Sequence, residues 1–404
     1  MNFRTNPPLG LYVHLPWCER KCPYCDFNSH QAEQRDESAY VQALIEDLQQ
    51  DLPLVWGRQI HSIFIGGGTP SLFSADAIEQ LMSSLRACLN FSPAIEVTLE
   101  ANPGSADASR FRAYRDAGIN RLSIGIQSFN DKHLQALGRI HDRSQALAAF
   151  EKARQAGFDN INLDLMYALP GQSITEALID IEQAISLQPE HISHYQLTIE
   201  PNTLFHKHEP SGIPSDDDSW MMQQQCQSAL ADQGYQHYEI SAYARPQRQS
   251  RHNLNYWHFG DYLGIGAGAH GKITLPAENR VLRRVRIRQP EAYLQAPAAQ
   301  RISQQSELST QDLVFEFMLN ALRLVEGVPS DLFCERTGLS LGILQSALKK
   351  ALELDLLNEN PARIQPSARG LQFLNDLQAI FLQIDEQDQC RQGIDVDFFQ
   401  PGST

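Results

Sequence analysis

The chain has 404 residues, a formal net charge of −15, 42% hydrophobic residues and 20% charged ones. That length suits one large domain with a small one, or two to three ordinary domains, and the balance is that of a folded globular protein rather than a disordered one. The acidity argues against a nucleic-acid binder, no apolar run is long enough for a transmembrane helix, and residues 1–9 lack the apolar core of a secretory signal.

Residues 9–15 read as an apolar strand running into a loop with Cys18, Cys22 and Cys25 at C-x3-C-x2-C spacing. Over 38–52 a helical period places Val41, Leu44, Ile45 and Leu48 on one face. The apolar run 60–65 ends at Gly66-Gly67-Gly68-Thr69-Pro70. Further helices are predicted over 75–89, 106–117, 144–156, 174–187 and 221–233, with Gly118, Gly157 and Gly234 closing three of them. Strands are predicted over 95–99, 121–126, 161–166 and 192–199. Six strand–helix units in succession imply parallel strands, right-handed crossovers and an α/β partial barrel. Chemistry in such barrels gathers at the C-terminal strand ends. The glycine triplet, Glu100 and Gln127 end strands, and Asp164 lies inside one.

Residues 201–218 read as a loop or lid. A glycine-rich β region follows, holding Arg251-His252-Asn253-Leu254-Asn255-Tyr256-Trp257 and the arginine-rich stretch 280–288, whose charge reads as a solvated edge strand. Residues 289–307 look like a connector. Residues 309–381 then suggest a small winged-helix-like domain, with helices near 312–324, 330–337 and 341–354 and a β-wing at 358–367. The expected organisation is a partial (βα)6 barrel over 1–240, a β-rich extension over 241–305, a C-terminal winged-helix-like helical domain over 306–383, and a polar tail over 384–404.

Thiolate sulfur is the usual ligand of iron–sulfur clusters, and a short loop can wrap three sulfurs around one cubic cluster. No fourth cysteine stands at matching distance, which leaves one iron open to a small molecule. Two other readings stay open: a closed zinc site completed by His14 or His30, or ordinary buried thiols. Seven cysteines without a paired framework point to a reducing cytosol.

The motif, with Tyr24 just before its last cysteine, resembles that of the radical SAM superfamily. The resemblance implies a [4Fe–4S] cluster on Cys18, Cys22 and Cys25, with S-adenosylmethionine chelating the open iron. Over most of the chain the similarity is to the oxygen-independent coproporphyrinogen III oxidases and their relatives. It implies that Tyr12, Gly67, Gly68, Thr69, Glu100, Gln127, Arg139 and Asp164 contact S-adenosylmethionine, with Tyr24 beside it. The residue types suit these contacts, since glycine admits close backbone approach, an amide suits ribose hydroxyls, and a guanidinium pairs a carboxylate. Taken singly, the glycines equally read as a turn and the polar residues as solvated or structural.

Two departures argue against coproporphyrinogen III decarboxylation. Phe27 stands where the oxidases carry a further cysteine, and only 17 residues precede Cys18. The segment H-N-x-x-Y-W resembles the signature of the heme chaperones in this subgroup. Imidazole ligates heme iron, and flat aromatic rings suit a porphyrin. His252 is therefore the candidate axial ligand, with Tyr256 and Trp257 as its surroundings; the blander reading is a packed surface loop. The preferred expectation is a cytoplasmic heme chaperone that passes heme to a recipient hemoprotein. Its expected partners are a one-electron donor and, transiently, membrane-bound respiratory proteins, with no nucleic acid. The alternative is an oxygen-independent coproporphyrinogen III dehydrogenase of porphyrin biosynthesis. A transcription factor using the winged-helix-like region is a weaker alternative, because that region lacks a basic stripe.

Overall fold

The computed structural model describes residues 1–3, 5–31 and 35–383; the tail expected over 384–404 lies outside them. Strand β1 (Leu9–Leu15) enters the cysteine loop, where β2 (Trp17–Cys18) and β3 (His30–Gln31) pair in parallel. Strands and helices then alternate: α1 (Glu37–Asp51), β4 (Gln59–Gly67), α2 (Ala75–Cys88), β5 (Asn90–Ala101), α3 (Ala108–Asp116) and β6 (Arg121–Gln127). Next come α4 (Asp131–Ala136), α5 (Arg143–Gln155), β7 (Ile161–Tyr167), α6 (Ile174–Leu187) and β8 (His191–Gln196). The chain continues through α7 (Leu204–Lys207), α8 (Asp216–Asp232), β9 (Gln236–Glu239), β10 (Ala242–Ala244) and α9 (Arg251–Trp257). An extension follows: β11 (Asp261–Ile265), β12 (His270–Leu275), β13 (Arg280–Arg286), α10 (Pro290–Gln295) and β14 (Ile302–Glu307). The last elements are α11 (Thr310–Ala321), β15 (Val328–Pro329), α12 (Ser330–Thr337), α13 (Gln345–Glu353), β16 (Arg363–Ile364), α14 (Ala368–Gln372) and α15 (Leu374–Ala379).

Local chemistry sets the boundaries. Reciprocal capping boxes start α5 (Asp142 with Gln145) and α6 (Ser173 with Glu176), each satisfying two otherwise orphaned backbone donors. Gly118, at φ +100°, takes the left-handed turn that ends α3.

One twelve-stranded sheet runs in the order β14-β13-β12-β11-β1-β4-β5-β6-β7-β8-β10-β9. Strands β1, β4, β5, β6, β7 and β8 are parallel neighbours, which is the partial (βα)6 barrel of the sequence reading. Side chains alternate across each strand. On β1, Leu9, Leu11, Val13 and Leu15 are at most 1% exposed within the main apolar core, leaving Gly10, Tyr12 and His14 for the opposite, inner face.

The extension departs from expectation in three ways. First, β11 lies parallel beside β1 and adds a seventh parallel strand, while β12, β13 and β14 run antiparallel. Second, the expected connector supplies α10 and the edge strand β14. Third, β13 is no solvated edge, because it pairs with β12 on one side and β14 on the other. Its arginines are neutralised internally. Arg286 is 1% exposed and donates to Asp47 at 2.7 Å and Asp51 at 2.6 Å, while Arg284 also pairs with Asp51. Buried charges are tolerated when paired and hydrogen-bonded, so this cluster pins α1 to the extension.

The 201–218 segment contains α7 and the capped start of α8. A second apolar core joins Leu313, Phe317 and Phe333 to Phe3, Phe259 and Val281, seating the C-terminal helices against the extension. There β15 and β16 form a two-stranded ladder. Among the described residues no helix is long and apolar enough to cross a membrane.

Candidate cofactor and ligand sites

The C-terminal ends of the parallel strands surround a cavity of about 190 Å³. Cys18, Cys22 and Cys25 line it from the loop after β1, with Tyr24 between them. Each thiol has a polar neighbour: Thr69 Oγ1 lies 3.5 Å from Cys18 Sγ, Arg139 Nη1 3.6 Å from Cys22 Sγ, and Ser29 Oγ 3.7 Å from Cys25 Sγ. Burial raises the Cys18 and Cys25 thiols above their ordinary range, against the pull of the Thr69 and Ser29 hydroxyls. Among the described residues, no three or more His, Cys, Asp or Glu side chains converge where a single metal ion would sit; the thiols stand around a space instead. His14 and His30, the imidazoles of the zinc alternative, are engaged elsewhere. His14 bonds the Tyr12 hydroxyl at 3.0 Å and the Asn28 carbonyl at 2.9 Å, and His30 bonds Asn28 Oδ1 at 3.2 Å.

The glycine triplet packs against the end of β1. A Cβ on Gly68 would lie 2.6 Å from the Trp17 carbonyl oxygen, and one on Gly67 would meet the His14 ring at 2.6 Å. Only glycine lets β4 come this close, and the approach aligns Gly67, Gly68 and Thr69 on the cavity wall. The Gly68 and Thr69 amides donate to the Leu15 and Trp17 carbonyls, each at 2.8 Å.

Glu100 and Asp164 face the same cavity from β5 and β7. Burial, and then the Asp164 charge, push Glu100 up to about 7, although the Gly67 amide donates to it at 3.1 Å. Burial raises Asp164 as well, against hydrogen bonds from Ser123 at 2.9 Å and Asn162 at 2.8 Å. Gln127 accepts from the Tyr195 hydroxyl at 2.9 Å and holds a left-handed φ of +70°. Arg139 donates to the Gly125 carbonyl at 2.8 Å, and its buried Nε has no partner.

Of the residues expected around S-adenosylmethionine, Tyr12 alone does not line this cavity. It lies further along β1 on the inner face, its ring 6.4 Å from that of Phe64. The lining residues that the sequence reading did not name as candidates include Arg20, Ser29, Asn102, Ser123 and Tyr195. Strand alternation identifies Ser123, two residues before Gly125 on β6, and the strand-end rule identifies Tyr195 on β8. Phe27 is 60% exposed at the rim.

The H-N-x-x-Y-W segment is helix α9, not a surface loop. His252 is 1% exposed. Its Nδ1 bonds Ser62 Oγ and its Nε2 the Tyr256 hydroxyl, both at 2.9 Å, and its backbone amide donates to Glu96 at 3.1 Å. Burial, assisted by the Arg121 charge, lowers its pKa to about 3, so the ring is neutral. A Cβ on Gly10 would crowd Ser62 Oγ at 3.1 Å and only touch this ring, at 3.4 Å. The expectation of His252 as an axial ligand thus meets a physical obstacle: both ring nitrogens are already satisfied inside the protein. Tyr256 and Trp257 instead line a separate cavity of about 220 Å³ with Tyr262, Lys272 and Arg283.

Three thiols in one loop on a partial parallel barrel define a radical SAM architecture. Residues 12–184 match the Radical SAM superfamily, and residues 308–373 match the HemN C-terminal domain. Coproporphyrinogen III oxidase (HemN) from Escherichia coli shares the fold, with a TM-score of 0.79 over 93% of this chain and 90% of that one at 23% identity. The chain is 47% identical to the heme chaperone HemW of Haemophilus influenzae over 382 residues, 93% of this chain and 98% of that protein. It is also 47% identical to HemW of Escherichia coli (93% and 98% covered) and 34% identical to HemW of Bacillus subtilis (92% and 99%). The chain belongs to the HemW family of radical SAM proteins.

Proposed function

We propose that this protein is a heme chaperone that binds heme as cargo and passes it to a recipient hemoprotein. The observation that carries the reading is the similarity along nearly the whole length of two heme chaperones named HemW, at 47% identity with 98% of each covered. The Phe27 rim is in keeping with it, since a thiol is absent where the related oxidases carry one.

The residues around the strand-end cavity fit the cofactors of the superfamily. Cys18, Cys22 and Cys25 would hold a [4Fe–4S] cluster, and its fourth iron would take the amino and carboxylate groups of S-adenosylmethionine. Burial raises both Glu100 and Asp164, and the Asp164 charge raises Glu100 further, which suits a ligand carrying an ammonium and a sulfonium. The unpartnered Nε of Arg139 suits an anionic group. Gly67, Gly68, Thr69, Tyr24 and Gln127 complete the wall, with Tyr12 behind it. The bound pair would supply one-electron chemistry, fed by an external one-electron donor; transient contact with membrane-bound respiratory proteins completes the proposed set of partners.

The barrel over 1–240 would carry the cofactors, and the 241–305 extension with the 306–383 region would present the cargo. Residues 201–218 would gate the site, a role supported by the Phe205 amide, which donates to the Pro23 carbonyl at 3.0 Å, and by its ring, 6.3 Å from Tyr24. Heme titrated into anaerobically reconstituted protein should saturate near one per chain and move to an apo-hemoprotein on mixing. Absent saturable binding, together with turnover of coproporphyrinogen III, would replace this reading by the dehydrogenase.

A further inference from the structure

The heme reading leaves the iron without a ligand, because His252 is sealed between Ser62 and Tyr256. The register of the extension places another imidazole on the open side. In paired strands, directly opposed residues share a face, and alternate residues along a strand return to it. Tyr262 on β11 stands opposite Lys272 on β12, which stands opposite Arg283 on β13. These three side chains line the cavity of Tyr256 and Trp257. His270 lies two residues before Lys272 and so returns to the same face, roughly 7 Å along the strand. It is exposed, and its imidazole makes no hydrogen bond among the described residues.

The same row carries Tyr12, paired with Gly264 on β11. A Cβ on Gly264 would lie 1.8 Å from the His270 carbonyl oxygen, so this position cannot carry a side chain. Tyr12 and His270 therefore stand on one row of the sheet with only the Gly264 backbone between them. Cationic charge is at hand. Arg280, Arg283, Arg284 and Arg286 are all ion-paired, whereas Arg288 is exposed with no ion pair among the described residues. Arg283 and Arg288 are the two charges that act on His270.

We infer that His270 is the protein ligand to heme iron. The porphyrin lies across the inner face of β11 and β12 with one edge in the aromatic cavity, and Arg288 meets a propionate. At about 220 Å³ that cavity is too small to enclose a whole macrocycle, as an edge pocket should be. The inference rests on the heme reading and deepens it.

The test is heme titration of the full chain, read by the absorbance of the bound heme, for the native protein, His270→Ala and His252→Ala. We expect His270→Ala to weaken binding at least tenfold and change the bound spectrum, and added imidazole to restore the native spectrum. His252→Ala should keep the native spectrum. An unchanged spectrum and affinity in His270→Ala, while the native protein binds, would overturn the ligand assignment and leave the chaperone reading standing. Failure of imidazole to restore the spectrum of a His270→Ala protein with native circular dichroism would also overturn it. No saturable binding by the native protein would overturn both.

Discussion

Two clusters of unusual side chains sit on the same sheet, and they are built on opposite principles. The strand-end cavity holds its polar groups under-satisfied: two raised carboxyl groups, a guanidinium nitrogen without a partner, and three thiols around a space. The region of α9 and the arginine strand holds its groups satisfied. His252 uses both nitrogens, and Arg286 sits between two aspartates. Unsatisfied buried polarity costs free energy that a ligand can recover, whereas satisfied polarity specifies a structure. A motif alone does not say which of these it serves.

The largest expected effect lies in the cavity. Cys18→Ser should lose the cluster outright, with iron and sulfide after anaerobic reconstitution falling to background, while the far-ultraviolet circular dichroism stays native. Fold and cofactor would then be separable there. Retention of a full cluster would break the contrast, because the thiol would be packing rather than a ligand.

Next in size is the arginine cluster. Arg286→Ala leaves Asp47 and Asp51 buried without their main partner, and breaking such a network costs about 3–5 kcal/mol. Urea denaturation should show that loss, and adding Asp47→Asn to the variant should recover part of it. A loss below about 1 kcal/mol would mean that water reaches the pair and that the extension is not pinned to α1 in this way.

Glu100→Gln should act in the opposite sense. Folded Glu100 keeps its proton up to about pH 7, against an ordinary value of 4.5. Between those values the folded state binds more protons than the unfolded one, so stability falls as pH rises through this window. Above pH 7 the ionised, buried carboxylate costs about 3 kcal/mol. Glu100→Gln should therefore stabilise the cofactor-free protein at pH 8, flatten its pH dependence from 4.5 to 7, and weaken S-adenosylmethionine binding measured by calorimetry. Unchanged binding would remove Glu100 from the site.

The sequence carried the parallel architecture well, because apolar strands and amphipathic helices repeat locally. The strand at 9–15 and the helix at 174–187 fall on the residues expected. The gathering of Glu100, Gln127 and Asp164 at one end of the barrel also follows from strand order alone. Pairings distant in the chain were illegible. Nothing local announces that β11 lies beside β1, or that the polar stretch Ile302–Glu307 forms an edge strand. The basic stretch 280–288 looked solvated because its neutralising aspartates lie more than 200 residues earlier. His252 looked available because Ser62 and Glu96, which hold it, lie on strands far away in the chain.

That last misjudgement gives the smallest of the expected effects. His252→Ala removes two hydrogen bonds and leaves the Ser62 and Tyr256 hydroxyls facing the space of the lost ring. Leaving such groups unmatched costs about 2 kcal/mol, a loss limited by water that can enter beside Tyr256, which is only half-buried. The thermal midpoint should fall accordingly. His252→Gln, which keeps a donor and an acceptor at similar reach, should restore part of it. Heme affinity should stay within about threefold of native in both variants, since a structural imidazole acts on iron only through packing. If affinity collapses while stability barely moves, the ring leaves Ser62 and Tyr256 on binding, and the contrast between the two regions fails at that residue.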